Sequence, residues 1–507
     1  MFAPTHRYNP AFDFALRGMD ITPNFDGPAS SLAFAMFEDA SPMSPRPNSL
    51  AAKDAAFHFH GYTNALKNEK DGGFVVTRGK GVYIYDEDGK EYMDGLAGLW
   101  CCSLGFGEVP RLTQAIATQM QTLPYYHTFT QKTAAVTVEL AEKLVSLAPV
   151  PMSKAYFCNS GSEANDTVIK MVRYLNNGLG RPQKKKFISR VKAYHGVTVA
   201  AGSLTGLPAI HKDFDLPIAG VLHTDCPHHY RFGQPGETEE QFATRCAESL
   251  EKLILAEGPD TIAAMIAEPV MGAGGVIVPP RTYWEKIQPV LKKYDILLVA
   301  DEVICGFGRT GNFWGSQTFG MKPDILTTAK QLSAGFMPIA AIMLNQRVYE
   351  ALRDNSNKNI SFAHGITYSG HPASAACAVE VLKIYEEKKI VDRVREMTPH
   401  FQKRLHSFAD HPLVGECRGV GMVGAIELVK DKKTKQTFDP PLLVGANLVR
   451  MGHDHGLIVR PVADSLAICP PMVATEAEID SLFDRFAKAL DDTQKWLKRE
   501  GHHSAAA

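Results

Sequence analysis

Short apolar segments alternate with helical patterns along residues 110–366, and this alternation most constrains what the chain can fold into. Alternating strands and helices are typical of an α/β domain with a largely parallel sheet. Ligands bind such sheets at the carboxyl ends of the strands. Glu268 and Asp301 each follow one of these segments directly and are therefore candidate site residues. The segments that we predict as strands lie at residues 155–158, 186–189, 261–267 and 296–300.

The remainder of the chain predicts a second, smaller α/β domain. Residues 79–94 are typical of a β-hairpin around an Asp-Gly turn. A helix-like stretch, a glycine-rich strand-like stretch at 419–424 and a terminal amphipathic helix follow residue 366. With 507 residues the chain is long enough for two domains. We predict an N-terminal extension over residues 1–50, the N-terminal part of the small domain over 51–109, a large domain over 110–366 and the C-terminal small domain over 367–507.

Charge and targeting signals bear on partners and location. The 54 Lys and Arg residues nearly balance the 55 Asp and Glu residues, so no global field would recruit nucleic acid or an anionic membrane. No stretch approaches the roughly 20 apolar residues of a membrane span. Arg7 and Arg17 would suit a mitochondrial transit peptide, but five acidic residues between positions 13 and 39 argue against one. We expect a soluble, cytoplasmic protein that acts on small molecules.

Cysteine usage gives no sign of a disulfide framework or a metal site. The nine cysteines are scattered and form no Cys-x-x-Cys pair, which favours free thiols in a reducing compartment. His223, Cys226, His228 and His229 cluster in one short stretch that could suggest metal ligands. No second ligand pair follows at zinc spacing, so we predict no metal site.

Asp301 and Lys330 together indicate a specific chemistry. Asp301 ends an apolar run, and Lys330 follows it in the sequence Thr-Thr-Ala-Lys-Gln. An enzyme that uses pyridoxal phosphate needs a lysine amine to hold the aldehyde as a Schiff base, and a carboxylate to keep the pyridine nitrogen protonated. Either residue alone would be explained by a strand-end turn or a solvated lysine. The surrounding residues favour the cofactor.

A phosphate site is predicted at the start of one helix. Ser160 and Glu163 fit a capping box, and Gly161 and Ser162 place free backbone amides and a hydroxyl at the helix N-terminus. An ordinary helix cap would explain Ser160 and Glu163 without a ligand. Beside Asp301 and Lys330, the phosphate interpretation is favoured.

Two further segments could enclose a pyridine ring. Tyr194, in the sequence Tyr194-His195-Gly196, follows a predicted strand and could stack on one face of the ring. Val303 lies two residues after Asp301 and could cover the other face. A core tyrosine is the competing interpretation of Tyr194.

Residues 306–311 spell Gly-x-Gly-x-x-Gly after a predicted strand, which raises the alternative of a nicotinamide-dependent dehydrogenase. That fingerprint should open a helix and precede an acidic residue by about 20 positions. Residues 312–315 are a poor helix start and Asp324 comes too early. The context therefore argues against a dinucleotide site.

These segments together resemble the class III, or ω-, aminotransferases of the type I pyridoxal phosphate fold. The resemblance extends from about His58 to Leu497. Within this family, the sequence is similar in particular to the branch that uses pyruvate as amino acceptor. The matching motifs are Asp94-Gly95-Leu96-Ala97-Gly98-Leu99-Trp100, Asn159-Ser160-Gly161-Ser162-Glu163-Ala164, Tyr194-His195-Gly196, Ala267-Glu268-Pro269-Val270, Ala300-Asp301-Glu302-Val303, Lys330 and Gly365-Ile366-Thr367-Tyr368-Ser369-Gly370-His371-Pro372.

The resemblance implies a role for each matching position. Lys330 and Asp301 would be catalytic, and Arg460 would be the mobile arginine that binds a substrate carboxylate, unless it forms a surface ion pair with Asp464. The assembly would be a homodimer, or a tetramer of two dimers, with shared active sites. The implied cofactor-binding residues are Ser160, Gly161, Ser162, Tyr194, His195, Glu268, Asp301, Val303, Lys330 and, from the neighbouring subunit, Thr367. The implied substrate-binding residues are Tyr62 from the partner chain, Trp100, Phe129 and Arg460.

The expected reaction is a transamination from an amine to pyruvate by ping-pong kinetics. The sequence does not rank 4-aminobutyrate, β-alanine, putrescine or an aryl amine as donor, because one methylene is worth only about 1 to 3 kcal/mol. A mutase, racemase or decarboxylase of the same fold, or an inactive scaffold, are the alternatives.

Overall fold

Three β-sheets organise the protein. The computed structural model describes residues 45–107 and 109–502. Within these ranges the strands are β1 (Val76–Lys80), β2 (Tyr83–Asp86), β3 (Glu91–Asp94), β4 (Lys154–Cys158), β5 (Lys186–Arg190), β6 (Val221–Thr224), β7 (Ile262–Ala267), β8 (Leu297–Asp301), β9 (Ile325–Thr328), β10 (Ala340–Leu344), β11 (Val414–Val420), β12 (Val423–Leu428), β13 (Leu457–Ile458), β14 (Arg460–Val462) and β15 (Ser465–Ile468).

Helices connect and cover these strands. Those in the described ranges are α1 (Leu50–Phe57), α2 (Ala65–Asp71), α3 (Ala97–Trp100), α4 (Pro110–Thr122), α5 (Ala135–Ser146), α6 (Gly161–Gly178), α7 (Val199–Leu204), α8 (Pro208–His211), α9 (His229–Phe232), α10 (Glu239–Glu257), α11 (Tyr283–Lys293), α12 (Gly315–Phe319), α13 (Gln346–Lys358), α14 (Pro372–Glu387), α15 (Ile390–His406), α16 (Val444–Asp454) and α17 (Glu476–Arg499). Short 3₁₀ turns lie at Pro259–Thr261, Lys330–Ser333 and Pro440–Leu442.

The central sheet has seven strands in the order β4-β10-β9-β8-β7-β5-β6. The pairs β6/β5, β5/β7, β7/β8 and β8/β9 are parallel, and only β10 runs against the others. Apolar residues alternate between its two faces: Leu297 and Val299 pack with α6 and α13, whereas Leu298 and Ala300 pack with α10 and α11. Helices therefore bury both faces, as a near-continuous apolar strand requires. The predicted α/β class with a mainly parallel sheet is confirmed.

Two smaller sheets complete the fold. β1, β2, β3 and β13 form one sheet, in which β13 pairs in parallel with β3 through Leu457 and Met93. The N-terminal hairpin thus shares a sheet with a segment more than 350 residues later. β11, β12, β15 and β14 form an antiparallel sheet. The domain boundaries at residues 109 and 366 stay predictions.

The elements differ from the sequence-based expectations in detail. Asp301 is the last residue of β8, where a position just after the strand was predicted. Residues 419–424, expected as one strand-like stretch, cross the tight turn between β11 and β12 at Gly421, whose φ is +60°. The glycines that suggested a strand serve this reversal instead. The predicted extension lies outside the described residues up to position 44, and α1 begins at Leu50. In the described part of the chain, no helix is both long and apolar enough to cross a membrane.

Candidate active site

The carboxyl edge of the central sheet opens into one cavity of about 440 Å³. β4, β5, β7, β8 and β9 all end there, as expected for a ligand site in such a sheet. Nine of the residues predicted from the sequence line this cavity: Ser160, Gly161, Ser162, Tyr194, His195, Glu268, Asp301, Val303 and Lys330.

Lys330 enters the cavity from the turn that follows β9. Its backbone φ is +40°, a conformation that side-chain-bearing residues rarely adopt and that occurs often at functional sites. Burial lowers the pKa of the Lys330 amine, although the carboxylate of Asp301 acts in the opposite direction. A neutral amine is a nucleophile and a proton acceptor, so the environment suits Lys330 for covalent catalysis.

Three donors fix the carboxylate of Asp301, which is 3% exposed. Asn165 Nδ2 donates to Oδ2 over 2.9 Å, and His195 Nδ1 donates to the same oxygen over 2.8 Å. The backbone amide of Val303 donates to Oδ1 over 3.1 Å. Asn165 also donates to the carbonyl of His195 over 2.7 Å, which ties the two partners together. The carboxylate therefore has one fixed orientation at the end of β8.

The start of α6 forms a cradle for an anion. Ser160 caps the helix, and its Oγ accepts from the Glu163 amide over 3.2 Å. The second half of the predicted capping box is different: Glu163 Oε2 accepts from the Asn159 amide, over 2.8 Å, instead of from Ser160. The Ser160 amide is therefore not bonded to Glu163, and Gly161 and Ser162, whose amides have no partner within a helix at this position, line the cavity.

Two glycines make room beside the cradle. A Cβ on Gly161 would lie 3.1 Å from Val303 Cγ2, and one on Gly196 would lie 2.6 Å from Ser162 Oγ. Gly196 has a φ of +138°, which favours glycine in any case. Ser162 Oγ accepts from the Val197 amide over 3.2 Å, so this loop is held against the helix start.

Glu268 positions Tyr194. Its Oε1 accepts from the Tyr194 amide over 3.0 Å, and its Oε2 accepts from the Gly272 amide over 2.9 Å. Burial raises the pKa of this carboxyl group. Because both oxygens bond backbone amides, the structure assigns Glu268 to holding the loop that carries the tyrosine ring.

These residues fit pyridoxal phosphate. A helix N-terminus suits the phosphate, the Lys330 amine suits the aldehyde and the Asp301 carboxylate suits the ring nitrogen. His195 Nε2 and Asn165 Oδ1 are buried without a hydrogen-bond partner in the described part of the chain. Both atoms belong to residues that hold Asp301. They therefore leave one hydrogen-bonding atom on each residue available near the carboxylate that suits the ring nitrogen.

Arg460 and Trp100 form the predicted substrate side. The guanidinium carbon of Arg460 lies 5.1 Å from the centre of the Trp100 ring, within cation–π range. The predicted alternative, an ion pair with Asp464, is wrong, since Asp464 accepts from the Gly445 amide and Arg460 has no carboxylate partner within residues 45–107 and 109–502. Burial lowers the pKa of Arg460.

Tyr62 lies near Tyr194 of its own chain, and the expectation that it reaches the site of a partner chain stays a prediction. Its Oη is 3.5 Å from Tyr194 Oη. The Leu50 amide anchors α1 by donating to Glu87 over 2.9 Å, and Tyr62 lies on the loop between α1 and α2.

Phe129 and Thr367 lie together outside this cavity. Tyr125 Oη donates to the Thr367 carbonyl over 2.8 Å, and a Cβ on Gly365 would lie 2.3 Å from Phe129 Cε1. Phe129 is 39% exposed and neighbouring Tyr368 is 58% exposed. The chain therefore does not bring these two predicted residues to the site that holds Lys330.

Sequence reasoning did not identify every residue of the cavity, and two of those it missed bear on the chemistry. Asn165 and Cys101 both line it. Asn165 was visible as the residue four positions after Gly161, one turn into α6, where its side chain faces the same side as the cradle. Cys101 follows Trp100 directly but carried no signal of its own.

The histidine-rich stretch does not converge. His223 Nε2 faces the Leu204 carbonyl at 3.3 Å and His229 Nε2 faces the Glu237 carbonyl at 2.8 Å. His228 Nε2 instead meets Glu416 at 2.8 Å. Each histidine thus has a separate structural partner.

Known proteins match this chain over most of its length. The family description "Aminotransferase class-III" matches residues 65–490. A chloroplastic gamma aminobutyrate transaminase 3 from Solanum lycopersicum is 52% identical over 421 residues, covering 83% of this chain and 81% of the relative. A vanillin aminotransferase from Capsicum frutescens is 48% identical over 422 residues, covering 83% and 92%. The crystal structure of an omega transaminase from Pseudomonas jessenii in complex with PMP has a TM-score of 0.87 and 54% identity, covering 89% of this chain and 99% of that one.

Proposed function

The chain belongs to the class III aminotransferases, and from that premise we propose that it moves an amino group from an ω-amino acid or an amine to pyruvate, releasing alanine. It is an aminotransferase of the type I fold, with pyridoxal 5′-phosphate as cofactor. The observation that carries the choice of substrates is Arg460: a half-buried guanidinium, without a carboxylate partner in the described chain, beside the cavity of Lys330.

The protein's own residues divide the chemical work. When bound, pyridoxal phosphate supplies the electron-accepting ring that lets the substrate carbon lose a proton. Lys330 Nζ would accept that proton and return it, because its lowered pKa favours the neutral amine. Asp301 would hold a proton on the ring nitrogen by its negative charge. Asn165 and His195 keep this carboxylate in place.

Arg460 supports pyruvate as acceptor. A guanidinium can bind a carboxylate through two parallel hydrogen bonds, and this one lies against Trp100 in a half-buried position where water competes less. One guanidinium matches the single carboxylate of pyruvate. The same group would bind an ω-amino acid in the first half-reaction and would move aside for an uncharged amine.

The aromatic side chains around Arg460 support a broad choice of donor. Trp100, Tyr62 and Tyr194 offer flat apolar faces close to the guanidinium. Relatives named for gamma aminobutyrate and for vanillin suggest that both an ω-amino acid and an aromatic amine are candidates. 4-Aminobutyrate, β-alanine, putrescine and an aryl amine therefore form the test panel.

The direct test measures product formation by the purified enzyme loaded with pyridoxal phosphate. Each amine is paired with pyruvate and, as a matched acceptor with two carboxylates, with 2-oxoglutarate. We expect alanine from pyruvate at a much higher rate than glutamate from 2-oxoglutarate, and parallel double-reciprocal lines. Preferred turnover of 2-oxoglutarate would refute the choice of acceptor, and intersecting lines would refute the ping-pong scheme.

We also propose a homodimer with shared active sites. The exposed group of Tyr125, Phe129, Gly365, Thr367 and Tyr368 supports it, because monomers rarely expose such contiguous aromatic surface. In a dimer with two-fold symmetry this surface could serve the partner's cavity. Whether two dimers pair into a tetramer is measured by light scattering.

Complementation tests the shared site. Lys330→Ala and Thr367→Ala chains are mixed under conditions that exchange subunits. Each mixed dimer then contains one intact site, so we expect recovery of about a quarter of wild-type activity when mixing is random. No recovery despite exchange would refute a contribution of Thr367 to the partner's site.

Finally, we propose a cytoplasmic location. Nine cysteines without a disulfide support a reducing compartment. Cell fractionation tests the location, and since some relatives are named chloroplastic or mitochondrial, recovery in an organelle fraction would overturn it.

A further inference from the structure

Two adjacent thiols lie at the wall of the active-site cavity. Cys101 lines the cavity together with Lys330. Its Sγ is 3.9 Å from the Sγ of Cys102. Both residues are half-buried and neither is in a disulfide. The aminotransferase reaction derived above uses neither thiol.

The space beside the two sulphurs is kept clear by glycines. A Cβ on Gly335 would lie 3.0 Å from Cys102 Sγ and 3.4 Å from Cys101 Sγ. A Cβ on Gly98 would lie 3.0 Å and 3.6 Å from the same two atoms. Side chains at these positions would crowd the sulphur pair. The two glycines come from separate segments of the chain, so backbone without a side chain borders the pair at two places.

The spacing fits one bridging atom better than a disulfide. Adjacent Cα atoms are about 3.8 Å apart, which is shorter than the roughly 4.4 to 6.8 Å that disulfides span. By contrast, two bonds of about 2.3 Å at a tetrahedral angle place their sulphurs about 3.8 Å apart. A single thiophilic atom could therefore join both thiols with little movement.

The number of potential ligands near the two thiols decides which thiophilic atom could bind there. A closed zinc site takes four protein ligands, and within the described residues no third His, Cys, Asp or Glu side chain joins this pair in a potential metal cluster. Trivalent arsenic with one organic substituent needs only two further ligands. It is also soft, as thiolate ligands prefer.

We propose that Cys101 and Cys102 form a two-thiol site for a monosubstituted trivalent arsenical, and that its occupation closes the active-site cavity. With phenylarsine oxide, two S–As bonds form while two S–H bonds and the As=O bond break. The two protons leave with the oxygen as water, and arsenic stays trivalent, so no oxidant is needed. The phenyl group would then occupy the space next to Lys330.

Cys101 is the better first nucleophile among the nine cysteines. The Cys102 S–H donates a hydrogen bond to the Cys101 sulphur and lowers the pKa of the Cys101 thiol. Six of the other seven cysteines are buried, and Cys417 is half-buried. Burial raises the pKa of Cys158 and of Cys417 to about 12. The pair at the cavity should therefore react before any other thiol.

The test uses the holoenzyme and phenylarsine oxide, with activity and native mass spectrometry as separate readouts. We expect one arsenical per chain and loss of transamination, both reversed by dimercaptopropanol but not by a monothiol. Cys102→Ser should keep the basal rate, while the concentration for half-inhibition rises at least about tenfold because the second thiol acts intramolecularly. Cys417→Ser is the matched control and should behave as the wild type.

Each contrary result is decisive. Equal sensitivity of Cys102→Ser and wild type, or an adduct that is lost in Cys417→Ser, would overturn the two-thiol site. An arsenical bound at the pair with an unchanged rate would overturn the closure of the cavity. The mass readout does not depend on which amine the enzyme uses, so failure of the proposed substrates would leave this site testable.

Discussion

The two ends of the cavity are built in different ways. At the cofactor end, Asp301 is 3% exposed and three donors fix it, all from segments that follow strands of one sheet. At the substrate end, Tyr62 lies on a loop and is 46% exposed, and the predicted substrate residue Phe129, which lies outside the cavity on another loop, is 39% exposed. The carboxylate at the cofactor end is thus held entirely by its own chain, whereas the substrate end presents surface that a second chain could complete.

This difference teaches where each kind of specificity resides. A buried network with fixed partners suits the chemistry that every aminotransferase shares. Exposed aromatic side chains with few fixed partners suit the choice of substrate, which differs among enzymes of one fold. Substitutions at the cofactor end should therefore affect all substrates alike, and those at the substrate end should affect some more than others.

The largest effect is expected at Lys330. We expect Lys330→Ala to lower kcat by more than about 10⁴-fold for every amine, because covalent binding and proton transfer are both lost. The measurement is alanine formation with each donor. Lys212→Ala removes an exposed lysine and should leave the rate unchanged. Substantial turnover by Lys330→Ala would place the essential amine elsewhere.

Asp301→Asn comes next. The amide keeps the shape but not the charge, so kcat should fall by roughly a hundredfold or more with all donors. Asp324→Asn is the matched control, because Asp324 lies before β9, at the opposite edge of the sheet, and accepts from the Leu298 amide over 3.0 Å. A near-normal rate for Asp301→Asn would show that another group holds the ring nitrogen.

Arg460→Ala should affect substrates that carry a carboxylate more than those that do not, unlike substitutions at the cofactor end. We expect kcat/KM for pyruvate to fall about 10- to 100-fold, the range for a hydrogen bond to a charged group. The half-reaction with 1-phenylethylamine, which has no carboxylate, should change little. Arg460→Lys keeps the charge without the paired geometry and should lie between. Equal losses in both half-reactions would contradict a carboxylate-binding role.

Asn165→Ala tests the positioning network. Asp301 would lose one donor, and we expect about a tenfold lower kcat with all amines, since one buried hydrogen bond is left unmade. The pH dependence of kcat should shift as well, because a less firmly positioned Asp301 carboxylate would stabilise the protonated ring nitrogen of the cofactor less. Asn176 is buried on the same helix and donates to the Val172 carbonyl, so Asn176→Ala should lower Tm without shifting that pH dependence. A loss of Tm alone in Asn165→Ala would make its role merely structural.

The cofactor end could be predicted from sequence because its signals are local. Asp301 and Glu268 end apolar strands, and Ser160 caps a helix, so each residue's position follows from a pattern of a few neighbours. The parallel sheet then brings these ends together. The mainly parallel sheet was accessible in this way, and the nine predicted residues of the cavity came from such patterns together with the family resemblance, which alone implied His195.

The substrate end could not be predicted because its contacts are not local. Tyr62 approaches Tyr194 across 132 positions, a contact that no local sequence pattern shows. Cys101 carries no pattern that would place its sulphur beside Lys330. At the cofactor end, Asn165 was missed for the same reason: the helix pattern places its side chain on the side of the cradle, but its bond to Asp301 joins residues 136 positions apart.

The smallest effect is expected at Tyr62, and its measurement also shows which chain of a dimer supplies this residue. Its Oη meets Tyr194 Oη at 3.5 Å, a weak contact, so Tyr62→Phe should lower kcat/KM only about two- to threefold. Co-expression then determines which chain of a dimer supplies Tyr62 to the working site. A Tyr62→Phe chain that retains Lys330 is paired with a Lys330→Ala chain that retains Tyr62. Only one site per dimer can react. If Tyr62 serves its own chain, that site keeps the two- to threefold defect. A wild-type rate per working site would show instead that the partner supplies the tyrosine, so that the substrate end depends on two chains.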